Sequence, residues 1–391
     1  MIEEIQKRPF VRPLFLWITG ILCYAFLPAS SLLYVLGVLS ALVFLFLGFS
    51  WGQGHAELQY DSRWIWGAIV SVLIVCLAVE VCWYSDRRIA LVNEPASSLD
   101  LLATKAQYSL VNTFDRLRLS DEEKSILATL TLGYKKAMSR ETKRRFSLAG
   151  VSHILAVSGF HVITGLAPSA VRAALMLSLY LTGRALRRVT DGYNTLAAAA
   201  FCMLAYNPYY LFDVGFQLSY LAVFFILFLV PRFKEWIVVR NPLLAMPWEW
   251  ITVSIAAQIG TALLCFYYFG QFSTVFLFTN LPVTLLAMFL IPFAFLWLGY
   301  PVDFYGYDWI QKIVEGLVHG MVRVVDVFSV MPYATITGRF SFFEMLGGYG
   351  FLVLCLIYMK IREPKVLLAA LTLLLIISVK ILIELFLIAG N

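Results

Sequence analysis

The chain has 391 residues, of which 61% are hydrophobic and only 14% are charged, and its net charge is +6. Soluble domains carry about a quarter charged residues, so this composition excludes an ordinary soluble protein. Apolar runs of about 20 residues, enough to cross a bilayer, recur along the chain, without the alternation typical of a membrane β-barrel. The six cysteines form no CxxC pair. The sequence therefore predicts an all-α, polytopic helical membrane protein without a cofactor or a metal site.

About eleven membrane spans are predicted in chain order. They are 14–29, 31–49, 64–84, 166–182, 192–206, 215–231, 245–269, 274–299, 307–331, 341–359 and 366–388. Loops rich in lysine and arginine stay in the cytoplasm. A cytoplasmic N-terminus places the cation-rich connections after 182, 231 and 359 on that side, and it places the loops at 207–214, 270–273 and 332–340 outside.

The segment 85–150 is basic, yet this topology places it outside the membrane. Long exported segments are largely exempt from the charge rule, so the topology stands. The sequence thus divides into N-terminal transmembrane helices at 1–84, an external-face basic helical segment at 85–150, and a transmembrane core at 151–391. Within the basic segment, residues 99–119 have the pattern of an amphipathic helix lying on the membrane.

Two short helices with clear boundaries follow in the same segment. Ser120 is the predicted N-cap of the first, with Glu123 three residues later completing a capping box. Gly133 is its predicted C-cap. Ser139 and Gly150 bound the second helix in the same way.

The stretch "SHILAVSGFHVITGLAPSAVRAALM", residues 152–176, concentrates polar and backbone-bending residues in an apolar chain. Residues 152–161 are apolar enough to enter the membrane but too few to cross it, and Gly159 permits a sharp bend. Irregular backbone inside a membrane requires burial in protein or contact with water. We therefore predict a re-entrant segment beside a wet cavity; an ordinary packed helix is the alternative.

Three chemistries are open to the polar side chains of this stretch. Ser158 with His153 or His161 would make an intramembrane serine hydrolase. The two histidines would bind zinc, although no carboxylate or cysteine stands at ligand spacing. Alternatively, both histidines hydrogen-bond within the turn and shape a pore.

Arg172 follows Pro168 early in a predicted span, where a buried arginine needs a partner or water. Asp213 stands at the same end of another span and is the expected partner, with direct contact to a substrate as the alternative. Gln217 extends the polar face of Asp213, and Gln258 lies among small residues in the middle of a later span.

A polar stripe runs along an otherwise apolar helix near the C-terminus. Its members recur at spacings of three and four: Lys312, Glu315, His319, Arg323 and Asp326. Such a stripe lines an aqueous path or belongs to an interfacial helix with its charges in water, and the sequence leaves both open.

Four motifs, in order, resemble the competence domain of the ComEC family. They are "LTLGYKKAMSRETKRRFSLAGVSHILAVSGFHV", "GLAPSAVRAALM", "NPYYLFDVGFQLSYLAV" and "AQIGTALLCFYYFGQFSTVFLFTNLP". The resemblance implies an inner-membrane protein that passes single-stranded DNA into the cytoplasm during natural transformation. It also implies an external DNA receptor, a cytoplasmic motor, and no catalytic step within this chain.

The resemblance gives the polar residues roles. The path would be shaped by His153, Ser158, Gly159, His161, Pro168, Arg172, Asp213, Gln217 and Gln258. Basic residues would meet DNA at the outer face: Lys135, Lys136, Arg140, Lys143, Arg144 and Arg145. A path wide enough for a strand would need a homodimer or partner subunits within the lipid bilayer.

The sequence also departs from the family pattern. We expect it to be a minimised version, because it shows neither an external OB-fold domain nor a metallo-β-lactamase-like domain. The family has helices between "SGFHV" and "GLAPSAVRAAL", which Val162–Gly165 joins directly here. A non-conducting remnant or assembly module is therefore an alternative to a channel, and a small-solute transporter is a third possibility.

Overall fold

The computed structural model describes residues 8–27, 37, 63–91, 98–134, 138–151, 154–155, 168–187, 191–303 and 305–389. These residues are predominantly helical, as the composition predicts. The helices are α1 (Val11–Phe26), α2 (Arg63–Leu91), α3 (Ser98–Thr113), α4 (Asp121–Leu132), α5 (Arg140–Leu148), α6 (Pro168–Ala185), α7 (Gly192–Tyr206), α8 (Val214–Trp236), α9 (Pro242–Phe269), α10 (Phe276–Gly299), α11 (Tyr307–Ser329), α12 (Phe342–Ile361) and α13 (Pro364–Ala389). Two strands, β1 (Gln271–Ser273) and β2 (Thr335–Thr337), complete the described elements.

Six helical stretches of the described residues are long and apolar enough to cross a membrane. They are Gly67–Arg87, Val214–Trp236, Leu244–Phe269, Phe276–Gly299, Phe342–Met359 and Pro364–Ile381. Each coincides with a span predicted from the sequence. Helices α1, α6, α7 and α11 are shorter or less apolar. The predicted span 31–49 and the predicted re-entrant segment 152–161 lie outside the described residues, apart from residue 37 and residues 154–155. The protein is thus a multi-pass helical membrane protein, and eleven spans remain a prediction.

One compact unit combines the N-terminal helices with residues 161–227. Helices α1 and α2 pack closely because Gly20 has no side chain, and a Cβ there would lie 2.7 Å from the Cβ of Ala78. Trp17 of α1 meets Phe201 of α7 edge to face at 5.0 Å. The core of this unit lies where α1, α2 and α7 converge.

A second compact unit joins residues 107–160 to residues 228–391. Its core forms where α4 packs against α10 and α11, and every residue of α4 from Ser125 to Leu132 is buried. The predicted caps are confirmed: Ser120 and Glu123 form the capping box, and Gly133 ends α4 in the left-handed conformation. The predicted membrane-related segments, 1–84, 85–150 and 151–391, describe topology, which packing alone does not test.

The basic segment contacts α10 near both ends of that helix. Phe114 stacks on Trp297 near the C-terminal end of that helix, at a centroid distance of 6.0 Å. At the other end, the Thr279 hydroxyl donates to the Ala149 carbonyl oxygen at 2.7 Å. The 24 residues of α10 span about 36 Å, which is a bilayer thickness. The basic segment therefore contacts a candidate membrane span near both of its ends.

The strands β1 and β2 pair in antiparallel fashion, with Phe272 opposite Ile336. This pairing holds the loop after α9 against the loop after α11. The end of α5 joins the same place, because Gln271 Nε2 donates to Ser147 Oγ at 2.7 Å and Ser273 Oγ donates to the Leu148 carbonyl at 2.8 Å. Three connections thus meet at one end of α10.

Replacing Gly150 by alanine is expected to destabilise this junction by about 2–4 kcal/mol. Gly150 has φ +78°, which side chains disfavour, and a Cβ would approach Ser273 Oγ to 2.8 Å and Phe276 Cβ to 2.9 Å. Thermal unfolding of the detergent-solubilised protein measures the loss as a lower Tm.

The matched control is Gly316→Ala in α11, where an added Cβ would meet nothing within 4 Å. Alanine should stabilise that helix by about 0.5–1 kcal/mol. Equal effects of the two substitutions on the Tm would contradict a tight junction at Gly150.

Candidate functional site

Several predicted site residues lie outside the described part of the chain. They are Lys135, Lys136, His153, Ser158, Gly159 and His161. Their predicted roles, including the hydrolase and zinc alternatives, therefore stay predictions. Pro168 begins α6, as the fixed φ of proline favours at a helix start. On the near side of the predicted bend, Val151, Ile154 and Leu155 are buried in the core of the second unit.

The short helix α5 separates a buried face from a basic one. Ser139 caps it, as predicted, by accepting a hydrogen bond from the Thr142 amide at 3.0 Å. Thr142 and Phe146 point into the core. Three cationic side chains lie on the exposed surface: Arg140, Lys143 and Arg144. Arg144 is only loosely paired, at 3.8 Å from Glu141, with 69% of its side chain exposed.

Arg145, which the sequence grouped with the DNA-entry patch, lies in a different environment from Arg140, Lys143 and Arg144. Its guanidinium bridges two carboxylates from other helices: it donates to Glu122 of α4, and to Asp326 of α11 at 2.5 Å. The Thr142 hydroxyl also donates to Glu122, at 2.7 Å. The charge of Arg145 is thus neutralised within the fold, in what we call the α4–α5–α11 clamp (Glu122, Arg145 and Asp326).

The contact between Arg145 and Glu122 shifts the pKa values of both groups. The hydrogen bond from Arg145 holds the pKa of Glu122 below its ordinary value, although partial burial opposes this. The same bond raises the pKa of Arg145, which remains charged. Glu122 and Arg145 therefore carry opposite charges at neutral pH.

The polar stripe on α11 contributes to packing, which neither interpretation of the sequence included. Besides Asp326, His319 Nδ1 lies 2.5 Å from Glu123 Oε1. The Arg118 amide donates to Glu315 Oε1 at 2.7 Å. The other two members of the stripe, Lys312 and Arg323, have exposed side chains. Three of the five stripe residues therefore hold the basic segment against α11.

Arg172 lies in the first unit and is 96% buried, with a relative exposure of 4%. Its Nε and Nη1 atoms are buried and make no hydrogen bond to the described residues. The predicted ion pair with Asp213 is not formed, since none of the salt bridges among the described residues joins the two. Asp213 instead accepts a hydrogen bond from the Phe216 amide at 2.7 Å, which caps the start of α8. Among the residues that the structure describes, Arg172 is therefore a buried cation whose hydrogen-bond donors are only partly used.

The two predicted glutamines make local contacts. Gln217 Nε2 donates to the Leu211 carbonyl at 2.9 Å, which fixes the turn before α8. Gln258 Oε1 accepts from the Thr261 hydroxyl at 3.3 Å within α9. These bonds explain both side chains structurally, and their place along a DNA path remains a prediction.

Comparison with known proteins agrees with the motifs. One curated relative, ComE operon protein 3 of Bacillus subtilis (strain 168), is 25% identical over 271 residues, which cover 56% of this chain. The same match covers 33% of the relative, so the chain spans about a third of its length. No solved structure matches the chain.

The family model described as "Competence protein" matches residues 130–164 and residues 160–363. The two matches meet at 160–164, where the sequence joins "SGFHV" to "GLAPSAVRAAL" through Val162–Gly165. Together they cover more than half of the 391 residues. The chain therefore belongs to the competence protein family, as the motifs had indicated.

Proposed function

We propose that this chain is the membrane-embedded part of a channel that passes single-stranded DNA across the bacterial inner membrane during transformation. The observation that carries the proposal is the family match over residues 130–363. The basic face of α5 lies within the matched residues and supplies a surface suited to a polyanion.

The basic face suits single-stranded DNA for an electrostatic reason. Each phosphate carries one negative charge and condensed counterions, which cationic side chains release on binding. Arg140, Lys143 and Arg144 lie on one surface of α5, and the intervening Glu141 is their only acidic neighbour within that helix. The anchoring of α5 by the clamp keeps this surface in place.

The proposed topology has the N-terminus in the cytoplasm and the basic face outside. Pairing of β1 with β2 supports it, because the loops at 270–273 and 332–340 must then lie on one side of the membrane. Both loops were assigned to the outside on charge alone. A homodimer or partner subunits would complete the path, and an external DNA receptor and a cytoplasmic motor would deliver and pull the strand.

The test is DNA uptake in a competent strain that lacks its own channel and carries this chain. The unmodified chain should restore uptake, and an R140Q/K143Q/R144Q variant should lower it at least several-fold. Removing three phosphate contacts should also reduce the salt slope of single-strand binding, log K against log [salt], by roughly 2.

The control is the single substitution Arg145→Gln, which removes a positive charge that does not belong to the exposed basic face. It should leave the salt slope unchanged in the fraction that stays folded. No uptake by the unmodified chain, despite verified membrane insertion, would overturn the channel function and favour an assembly module.

A further inference from the structure

Tyr333 has a backbone conformation that a bulky residue rarely adopts. Its φ is +62°, in the left-handed region. Arg187 and Arg362 are the other non-glycine residues with positive φ among those the structure describes, and both follow the end of a helix, where this conformation is a common stop. Tyr333 instead lies in the connection from α11 to β2, where no helix cap requires it.

The surrounding structure holds Tyr333 in this conformation. The Thr274 hydroxyl donates to the Tyr333 carbonyl oxygen, and the Thr274 amide donates to the Ala334 carbonyl at 2.9 Å. Pairing of β1 with β2 begins at Thr335, two residues after Tyr333. Strain that a structure retains in this way is concentrated at functional sites.

The side chain of Tyr333 is presented to the outside of the unit. It is 91% exposed, whereas Phe272 of β1 stacks on Phe266 of α9 at a centroid distance of 5.6 Å. A hydrogen-bonded backbone that carries an exposed ring is the arrangement expected of a stacking platform.

The β1–β2 pair, which begins two residues after Tyr333, is linked to the basic helix α5 by two hydrogen bonds. Gln271 and Ser273 of β1 bond to the last residues of α5. Asp326, seven residues before Tyr333, accepts from Arg145. The exposed ring and the basic face thus belong to one anchored assembly, which combines the two elements used for single strands: cations for phosphates and an aromatic face for bases.

We propose that Tyr333 stacks on a base of the strand whose phosphates contact the basic face of α5. The proposal rests on the proposed function and names a subsite within it. The contact would be tolerant of sequence, because every base has an aromatic face.

The experiment compares two ligands of equal length and charge, an oligothymidylate and an abasic strand, bound by the full chain in lipid nanodiscs. Tyr333→Ala should weaken oligothymidylate binding by roughly 5- to 100-fold and leave abasic binding unchanged. Tyr333→Phe should retain the preference for bases. Tyr333→Gly should lose the preference while raising the Tm, since glycine adopts a positive φ freely.

Tyr305 provides the matched control, because it is 97% exposed in the loop at the other end of α10. Tyr305→Ala should change neither affinity. An unchanged preference in Tyr333→Ala, or an equal loss for both ligands, would overturn the stacking role and leave the channel proposal intact. Failure of the unmodified chain to bind either strand would overturn both.

Discussion

Replacing Arg172 by leucine is expected to reduce DNA uptake by roughly 10- to 100-fold, the value of one or two lost hydrogen bonds to a charged group. The same change should leave the protein folded and at least as stable. The reason is that Arg172 is buried to 96% while its Nε and Nη1 atoms make no hydrogen bond to the described residues. Burying a charge without full pairing costs several kcal/mol. An apolar leucine at this position would remove that desolvation cost.

An arginine kept in this state is suited to an anionic ligand that arrives and leaves, such as a phosphate of a moving strand. Arg172→Lys should therefore retain part of the uptake, because it preserves the charge but not the forked donors. The measurement is uptake of labelled DNA together with the Tm of the purified variants.

Arg184 on the same helix is the control, since its side chain is exposed. Arg184→Leu should change neither uptake nor the Tm appreciably. A drop in the Tm of Arg172→Leu by many degrees would show that Arg172 has a structural partner, and it would contradict the ligand role.

The helices and their caps could be predicted from the sequence because both depend on neighbouring residues. Ser120 and Glu123 are three residues apart and form the capping box that the spacing indicates. Apolar runs of sufficient length gave the six candidate spans for the same local reason.

The partners of charged residues could not be predicted, because they depend on contacts distant in the chain. Arg145 belongs by sequence to a run of exposed cations, yet it bonds to Glu122, 23 residues away, and to Asp326, 181 residues away. Asp213 was the natural partner of Arg172 by charge and position. The amide of Phe216, three residues further on, takes its carboxylate instead.

The position of the basic segment shows the same limit. The order of the predicted spans puts this segment on the outer face, and its amphipathic pattern predicts a helix lying on the membrane, but neither indicates which helices the segment packs against. Packing places Phe114 against Trp297 and Ala149 against Thr279, at opposite ends of α10. The only sequence signal for this packing is the run from Ser125 to Leu132 of α4, which is buried. A run of that length cannot be distinguished in the sequence from other apolar segments.

Replacing Arg145 by alanine is expected to destabilise the second unit by about 1–3 kcal/mol. Breaking a fully buried ion pair costs about 3–5 kcal/mol. The value is smaller here because the side chains of Arg145, Glu122 and Asp326 are 24%, 35% and 42% exposed, so solvent screens the charges that remain. The loss also leaves two carboxylates facing each other. Arg144→Ala is the control, and its exposed, loosely paired side chain should cost less than about 0.5 kcal/mol.

The clamp predicts a specific pH dependence. Because Arg145 lowers the pKa of Glu122 below the ordinary 4.5, the folded protein binds this proton less readily than the unfolded chain. The stabilisation is therefore fully present above the ordinary pKa and is lost as the pH falls through the lowered value. The Tm difference between the unmodified protein and Glu122→Gln should be constant at neutral pH and should shrink below pH 4.5. In the Arg145→Ala background, Glu122→Gln should no longer destabilise the protein at neutral pH, because it then removes one of two carboxylates that face each other. A Tm difference that persists undiminished in acid would show that Glu122 stabilises the fold through its shape and hydrogen bonds alone.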